Sequence, residues 1–178
     1  MSKTSQLIQK ASLYAQRRQF AEAVNIYKKV LSKEPNNLDA NYLLGSVYCE
    51  LGEFESAHKL LLKAYQLRPN SPYVCNNLGN LYKMRGLIDD AVRFYQQAIA
   101  LKWDIPQAHY NLGSIFQTQG KHDEAIEYFE NVKKIEPAMV VADASRASVY
   151  ECRGEYQRAR EILEPIIRSG RADYQTLV

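Results

Sequence analysis

Five alanines stand 34 residues apart: Ala23, Ala57, Ala91, Ala125 and Ala159. Seven of the eight glycines keep the same interval, Gly45, Gly79 and Gly113 in one series and Gly52, Gly86, Gly120 and Gly154 in another. Only Gly170 falls outside it. A lattice of this kind means one structural unit copied in tandem, and not a single closed core. An array buries its apolar faces between neighbours and offers a long surface to something else.

A register that starts units at Thr4, Leu38, Pro72, Pro106 and Val140 gives five units, 4–37, 38–71, 72–105, 106–139 and 140–173. The eighth position is then Ala11, Gly45, Gly79, Gly113 and Ala147, and the eleventh is Tyr14, Tyr48, Tyr82, Phe116 and Tyr150. The twenty-fourth is Tyr27, Leu61, Tyr95, Phe129 and Leu163, and the thirty-second is Pro35, Pro69, Trp103, Pro137 and Arg171. Apolar residues recur at helical spacing on both sides of each central glycine, as in Leu44, Val47, Tyr48 and Leu51, then Ala57, Leu60, Leu61 and Ala64. Each unit therefore reads as helix, turn, antiparallel helix. First helices are expected near 4–17, 38–51, 72–85, 106–119 and 140–153, and second helices near 20–33, 54–67, 88–101, 122–135 and 156–169.

Glycine after the first helix suits the left-handed residue that ends a helix. Glycine inside the first helix costs about 1 kcal/mol relative to alanine, which points to close approach of the paired helix, with the alanines of position twenty expected opposite. Proline at position thirty-two stops the second helix.

These positions resemble the tetratricopeptide repeat over nearly the whole chain. The fourth unit, HYNLGSIFQTQGKHDEAIEYFENVKKIEP, carries almost every signature residue. The likeness extends to the repeat domains of O-linked N-acetylglucosamine transferases and to bacterial tetratricopeptide proteins. It implies an all-α, right-handed superhelical α-solenoid of five helix-turn-helix hairpins, read as a single domain over 1–178. It also implies that first helices line the concave face.

The pattern weakens at named places. Trp103 replaces a proline, Arg146 replaces an apolar residue, and Pro165 falls within the last expected helix, where it should bend it. Tyr174, Gln175, Thr176, Leu177 and Val178 read as the opening of a sixth unit.

Family geometry turns positions 2, 5, 6, 9, 12 and 13 of each first helix toward the groove. The candidate partner-binding residues are Tyr42 and Ser46, then Tyr73, Asn76, Asn77, Asn80 and Lys83, then Tyr110, Asn111 and Ser114. This lining is polar, nearly uncharged and rich in tyrosine. An asparagine amide both donates and accepts, so it can pair with an extended peptide backbone in both directions. Asn77 and Asn111 share position 6 and resemble the start of the asparagine ladder in the transferase domains. A second family mode, a clamp on a C-terminal carboxylate, needs cations at set positions. Here those positions hold Asn76, Val141 and Ser145, so that clamp is not expected.

No catalytic set stands out, and the chain reads as a non-enzyme without cofactor or metal. His58, His109 and His122 hold unrelated repeat positions. His109 and Cys75 share position 4 and read as packing residues, and His122 reads as solvated. Cys49, Cys75 and Cys152 match no redox or zinc spacing and read as free thiols. No run approaches the roughly 18 apolar residues of a membrane span. The amino-terminal MSKTSQLIQK lacks an apolar signal segment, so a cytoplasmic protein is expected. Residues 1–37 hold seven Lys and Arg against two Glu, which suits a solvated face or, near Arg17, Arg18, Lys28 and Lys29, an acidic partner. Nucleic acid is not expected, because the groove lacks the cations that phosphates need.

The leading expectation is a protein-protein interaction scaffold that holds an extended peptide or a helix of a partner. The alternative is the substrate-positioning amino-terminal part of a larger glycosyl- or sulfotransferase. Self-association is a third expectation, through Ile162, Leu163, Ile166 and Ile167 of the last helix.

Overall fold

The structure, a computed structural model, describes residues 2–169. Arg171 and the suggested opening of a sixth unit lie outside them. The described residues form ten α-helices in five antiparallel hairpins. The first hairpin is α1 (Lys3–Gln16) and α2 (Phe20–Lys33), and the second is α3 (Leu38–Glu50) and α4 (Phe54–Leu67). The third is α5 (Pro72–Met84) and α6 (Ile88–Leu101), and the fourth is α7 (Pro106–Thr118) and α8 (His122–Ile135). The fifth is α9 (Val140–Cys152) and α10 (Tyr156–Arg168). Every expected helix is present, with ends shifted by one residue at most. The helix α10 runs through Pro165.

The chain divides into two units, Met1–Leu101 and Lys102–Val178. In the first, α1, α3 and α5 lie side by side, α2 packs on α1 and α3, α4 packs on α3 and α5, and α6 packs on α5. In the second, α7 neighbours α9, while α8 packs on both. The core there is built from Ala125, Phe129, Val132, Ala142 and Val149, with Tyr110 and Phe116 against it.

One device closes all five hairpins. After α3, Gly52 takes φ 74°, its N–H bonds to Cys49 O, and Glu53 N–H reaches back to Tyr48 O. That is a Schellman cap, in which two carbonyls at the helix end find donors. The same backward bond recurs from Leu87 to Tyr82, Lys121 to Phe116 and Glu155 to Tyr150. In the first hairpin the left-handed residue is Arg18, at φ 58°.

The other glycine series permits close approach, but the residue opposite is not the position-twenty alanine that the sequence suggested. A Cβ on Gly79 would lie 2.6 Å from the Tyr95 ring, and one on Gly113 2.7 Å from Phe129. A Cβ on Gly45 would meet Leu61 at 2.8 Å, with the backbone oxygen of Ala57 next at 3.4 Å. The glycine makes room for the large side chain of position twenty-four, while the alanines are small and wholly buried nearby.

Candidate functional site

The first-helix residues divide by what already holds them. In the first unit, Tyr73 is about half exposed at 48%, whereas Tyr42, Ser46, Asn77, Asn80 and Lys83 are half-buried. Asn76 is buried at 9% exposure and its Oδ1 is enclosed without a hydrogen-bond partner, so its side chain lies inside the stack. In the second unit, Tyr110, Asn111 and Ser114 are half-buried.

Position 9 has a structural task that the sequence reading missed. The Tyr95 hydroxyl donates to Asn80 Oδ1 at 2.7 Å, and Tyr27 Oη lies 2.9 Å from Ser12 Oγ. In both cases a position-24 tyrosine crosses the hairpin to find a polar partner, as a buried phenol must. Phe129 has no hydroxyl, so Ser114 turns back and donates to Tyr110 O at 3.0 Å instead. Asn80 therefore secures its own hairpin and is half-buried there. The presence of tyrosine or phenylalanine at position 24 was the readable signal.

Burial tunes the remaining groups. Desolvation pushes the Tyr42 phenol up to about 12, aided by the Asp39 charge, so it stays a neutral donor. Burial lowers the Lys83 ammonium from its ordinary value. Tyr110 Oη lies 3.5 Å from Ser145 Oγ, and the Gln117 amide donates to Ser148 at 3.4 Å. The first-helix face of each unit is thus lined with amides and hydroxyls, and neighbouring first helices in the second unit are tied to one another.

Position 4 is more than packing. The amide of Asn41 donates to Pro35 O at 3.1 Å, the Cys75 thiol to Pro69 O at 3.7 Å, and His109 Nε2 to Trp103 O at 2.9 Å. Each donor reaches the carbonyl at position thirty-two of the preceding turn, and a hydrogen bond of this kind contributes about 1 kcal/mol. Three different donor types at one register position were the available signal. Trp103 is 49% exposed and lies edge-on to His109, at 5.4 Å between centroids. Its turn also differs from the others, since Ile105 N–H bonds to Trp103 O. Burial pushes the thiols of Cys49 and Cys75 up to about 11, leaving them protonated and unreactive. Cys152 is exposed. His122 is half-buried rather than solvated, as the first residue of α8.

At the last hairpin, Ile166 is buried, Ile162 and Leu163 are half-buried, and Ile167 is exposed beside an exposed Tyr156. Of the four apolar residues expected to lack cover, one, Ile167, is thus exposed, at 59%. Among the described residues no group of three metal-ligating side chains occurs, and no helix is long and apolar enough to cross a membrane.

Models of the tetratricopeptide repeat match residues 14–64 and 106–139, and a TPR repeat model matches 45–86 and 84–120. Among solved structures, a crystal structure of MamA is 30% identical, covers 89% of this chain and 92% of its own, and superposes with a TM-score of 0.73. PilF of Pseudomonas aeruginosa is 22% identical over 97% of this chain and 79% of its own, with a TM-score of 0.85. YrrB, described as a TPR protein with an unusual peptide-binding site, is 22% identical over 96% and 88%, with a TM-score of 0.67. The likeness to PilF and YrrB is one of fold. A search of curated protein sequences finds no match. The repeat models, the hairpins and the likeness to MamA agree: the chain belongs to the tetratricopeptide repeat family.

Proposed function

We propose that the repeats are protein-interaction modules whose first helices, within a unit, hold an extended peptide of a partner protein. The observation that supports this most is present in each unit separately. Unit one carries Tyr73 and Asn77 one turn apart, and unit two carries Tyr110 and Asn111 in succession, on first-helix faces where Lys83 is the one charged candidate among amides and hydroxyls. Such amides pair with peptide N–H and C=O groups without reading side chains, and the tyrosines offer rigid apolar area with a polar tip. YrrB shows that a protein of this fold can carry a peptide-binding site; for this chain the reading rests on its own residues.

The test starts from peptides selected on the protein from a random twelve-residue library. Their affinity is then measured by fluorescence anisotropy for the wild type and for the double variant Asn77→Ala, Asn111→Ala. Loss of the amide pair in whichever unit holds the peptide, at about 1 kcal/mol, weakens binding about fivefold, with an unchanged circular dichroism spectrum. Unchanged affinity sends the peptide to another face.

A further inference from the structure

In repeats 3 and 4 an aromatic ring fills the space between neighbouring helices. Phe94 of α6 stacks on Tyr82 of α5 with centroids 5.3 Å apart, and meets Tyr65 of the preceding second helix edge-on at 5.8 Å. Tyr128 of α8 stacks on Phe116 of α7 at 5.5 Å and lies 5.8 Å from His109. Phe94 and Tyr128 share position 23. Their ring partners occupy position 11 and position 4 of the same repeat, and position 28 of the one before.

In repeat 5 position 23 is Ile162, and the three partner positions hold Tyr150, Asp143 and Lys133. All four residues line one cleft of about 480 Å³ that lies wholly within the second unit. The cleft therefore occupies the place where repeats 3 and 4 insert a ring, whereas repeats 1 and 2 carry the aliphatic Ile26 and Leu60 at position 23. Among the described residues no ring stacks on Tyr150; the Arg158 guanidinium lies 5.6 Å from its centroid instead. The rim carries both signs of charge, including Glu130, Lys133 and Glu161. Such a rim supplies donors and acceptors to a phenolic hydroxyl, and a ring entering beside Arg158 gains cation–π attraction.

We propose that this cleft takes the phenol ring of a tyrosine borne by a protein partner, completing the stack that Phe94 and Tyr128 complete in their own repeats. The inference stands on repeat 5 alone and not on the peptide groove of the first helices.

The experiment follows backbone amide shifts of the ¹⁵N-labelled full chain during titration with Gly-Tyr-Gly blocked at both ends, with the blocked Gly-Leu-Gly, and with p-cresol. The tyrosine tripeptide is expected to give saturable shifts at Arg146, Tyr150 and Ile162, at least fivefold tighter than the leucine tripeptide. Ile162→Phe places a ring in the cleft and abolishes them. The proposal is overturned if the tyrosine tripeptide leaves these amides unmoved, binds no better than the leucine one, or still binds Ile162→Phe as it binds the wild type. It is also overturned if p-cresol binds and the tripeptide does not, since the cleft would then admit a small aromatic compound and not a side chain on a peptide. Should Ile162→Phe fail to fold by circular dichroism, the three wild-type titrations decide the matter.

Discussion

The third and fifth hairpins follow one register and reach the same backbone by different means. In the third, Gly79 lets the Tyr95 ring press against α5, Leu78 is wholly buried, and Phe94 stacks on Tyr82. In the fifth, Ala147 stands where the glycine would be, and the equivalents of Leu78 and Phe94 are Arg146 and Ile162. Charge takes the place of carbon there. Asp143 is buried and receives Lys133 and Arg146, and Arg146 also reaches Glu130 at 3.6 Å. The fold thus needs a helix pair of given length with a capped turn, and tolerates two kinds of filling between helices.

The methyl at position 8 gives the sharpest way to break that comparison. Gly79→Ala drives a Cβ into the Tyr95 ring, and overpacking of this sort costs about 1–3 kcal/mol. In the fifth hairpin the methyl is native, and Ala147→Gly costs about 1 kcal/mol through helix propensity. The same chemical change is therefore expected to destabilise in both directions, read as midpoints of urea unfolding. Ala11 and Tyr27 hold positions 8 and 24 of the first hairpin and are both fully buried, so a hairpin with tyrosine at position 24 accommodates the methyl. If Gly79→Ala is neutral, the third hairpin relaxes just as readily and the distinction between the two regions fails.

What the sequence made legible was whatever the period imposes. Helix ends, the left-handed glycines and the stop at position thirty-two recur because backbone geometry recurs, and each copy reinforces the others. What stayed hidden was pairing across the stack. Asn80 looked like a ligand for peptide because position 9 faces the groove, yet its partner Tyr95 lies 15 residues away on the other helix of the hairpin. Asn76 looked similar by position and is buried. Arg146 looked like a defect, because its compensation lies in Asp143 on its own helix and Glu130 on α8. Side-chain partners of this kind depend on distances that a one-dimensional register does not carry.

A second variant sharpens the contrast between the two fillings. Asp143→Leu with Arg146→Leu restores to the fifth hairpin the apolar character that position 7 has in repeats 2 to 4. Replacing a buried ion group by apolar side chains is commonly neutral or stabilising. Here Lys133 stays 44% exposed and Arg146 Nε is enclosed without a partner, so the ionic group holds little net advantage. The double variant should unfold within about 1 kcal/mol of the wild type. A loss well beyond that would mean the ions, and not the hairpin geometry, hold α9 in place.

The smallest expected effect separates two occupants of position 4, His109 and the Asn41 of repeat 2. Both donate to the carbonyl of the preceding turn, but only the histidine titrates. A carbonyl can only accept, so Nε2 carries the proton and Nδ1 is left as a buried acceptor without a partner. Burial lowers the ring below its ordinary value, against a weaker upward pull from the bond to Trp103. The unfolded chain protonates near 6.5, while the folded ring resists the charge. Between those two values the unfolded state binds more protons, so stability rises with pH. Its contribution is complete above about 6.5 and is lost as pH falls toward the folded ring's lower value. His109→Asn keeps the donor and removes the titration. The difference in unfolding free energy between wild type and variant, followed from pH 7.5 to pH 5.0, should therefore move against the wild type as acid is added. His58 and His122 are common to both proteins and cancel in that difference. A flat difference profile would show that the ring accepts a proton as easily in the folded chain as outside it, and that His109 is no more shielded than a surface histidine.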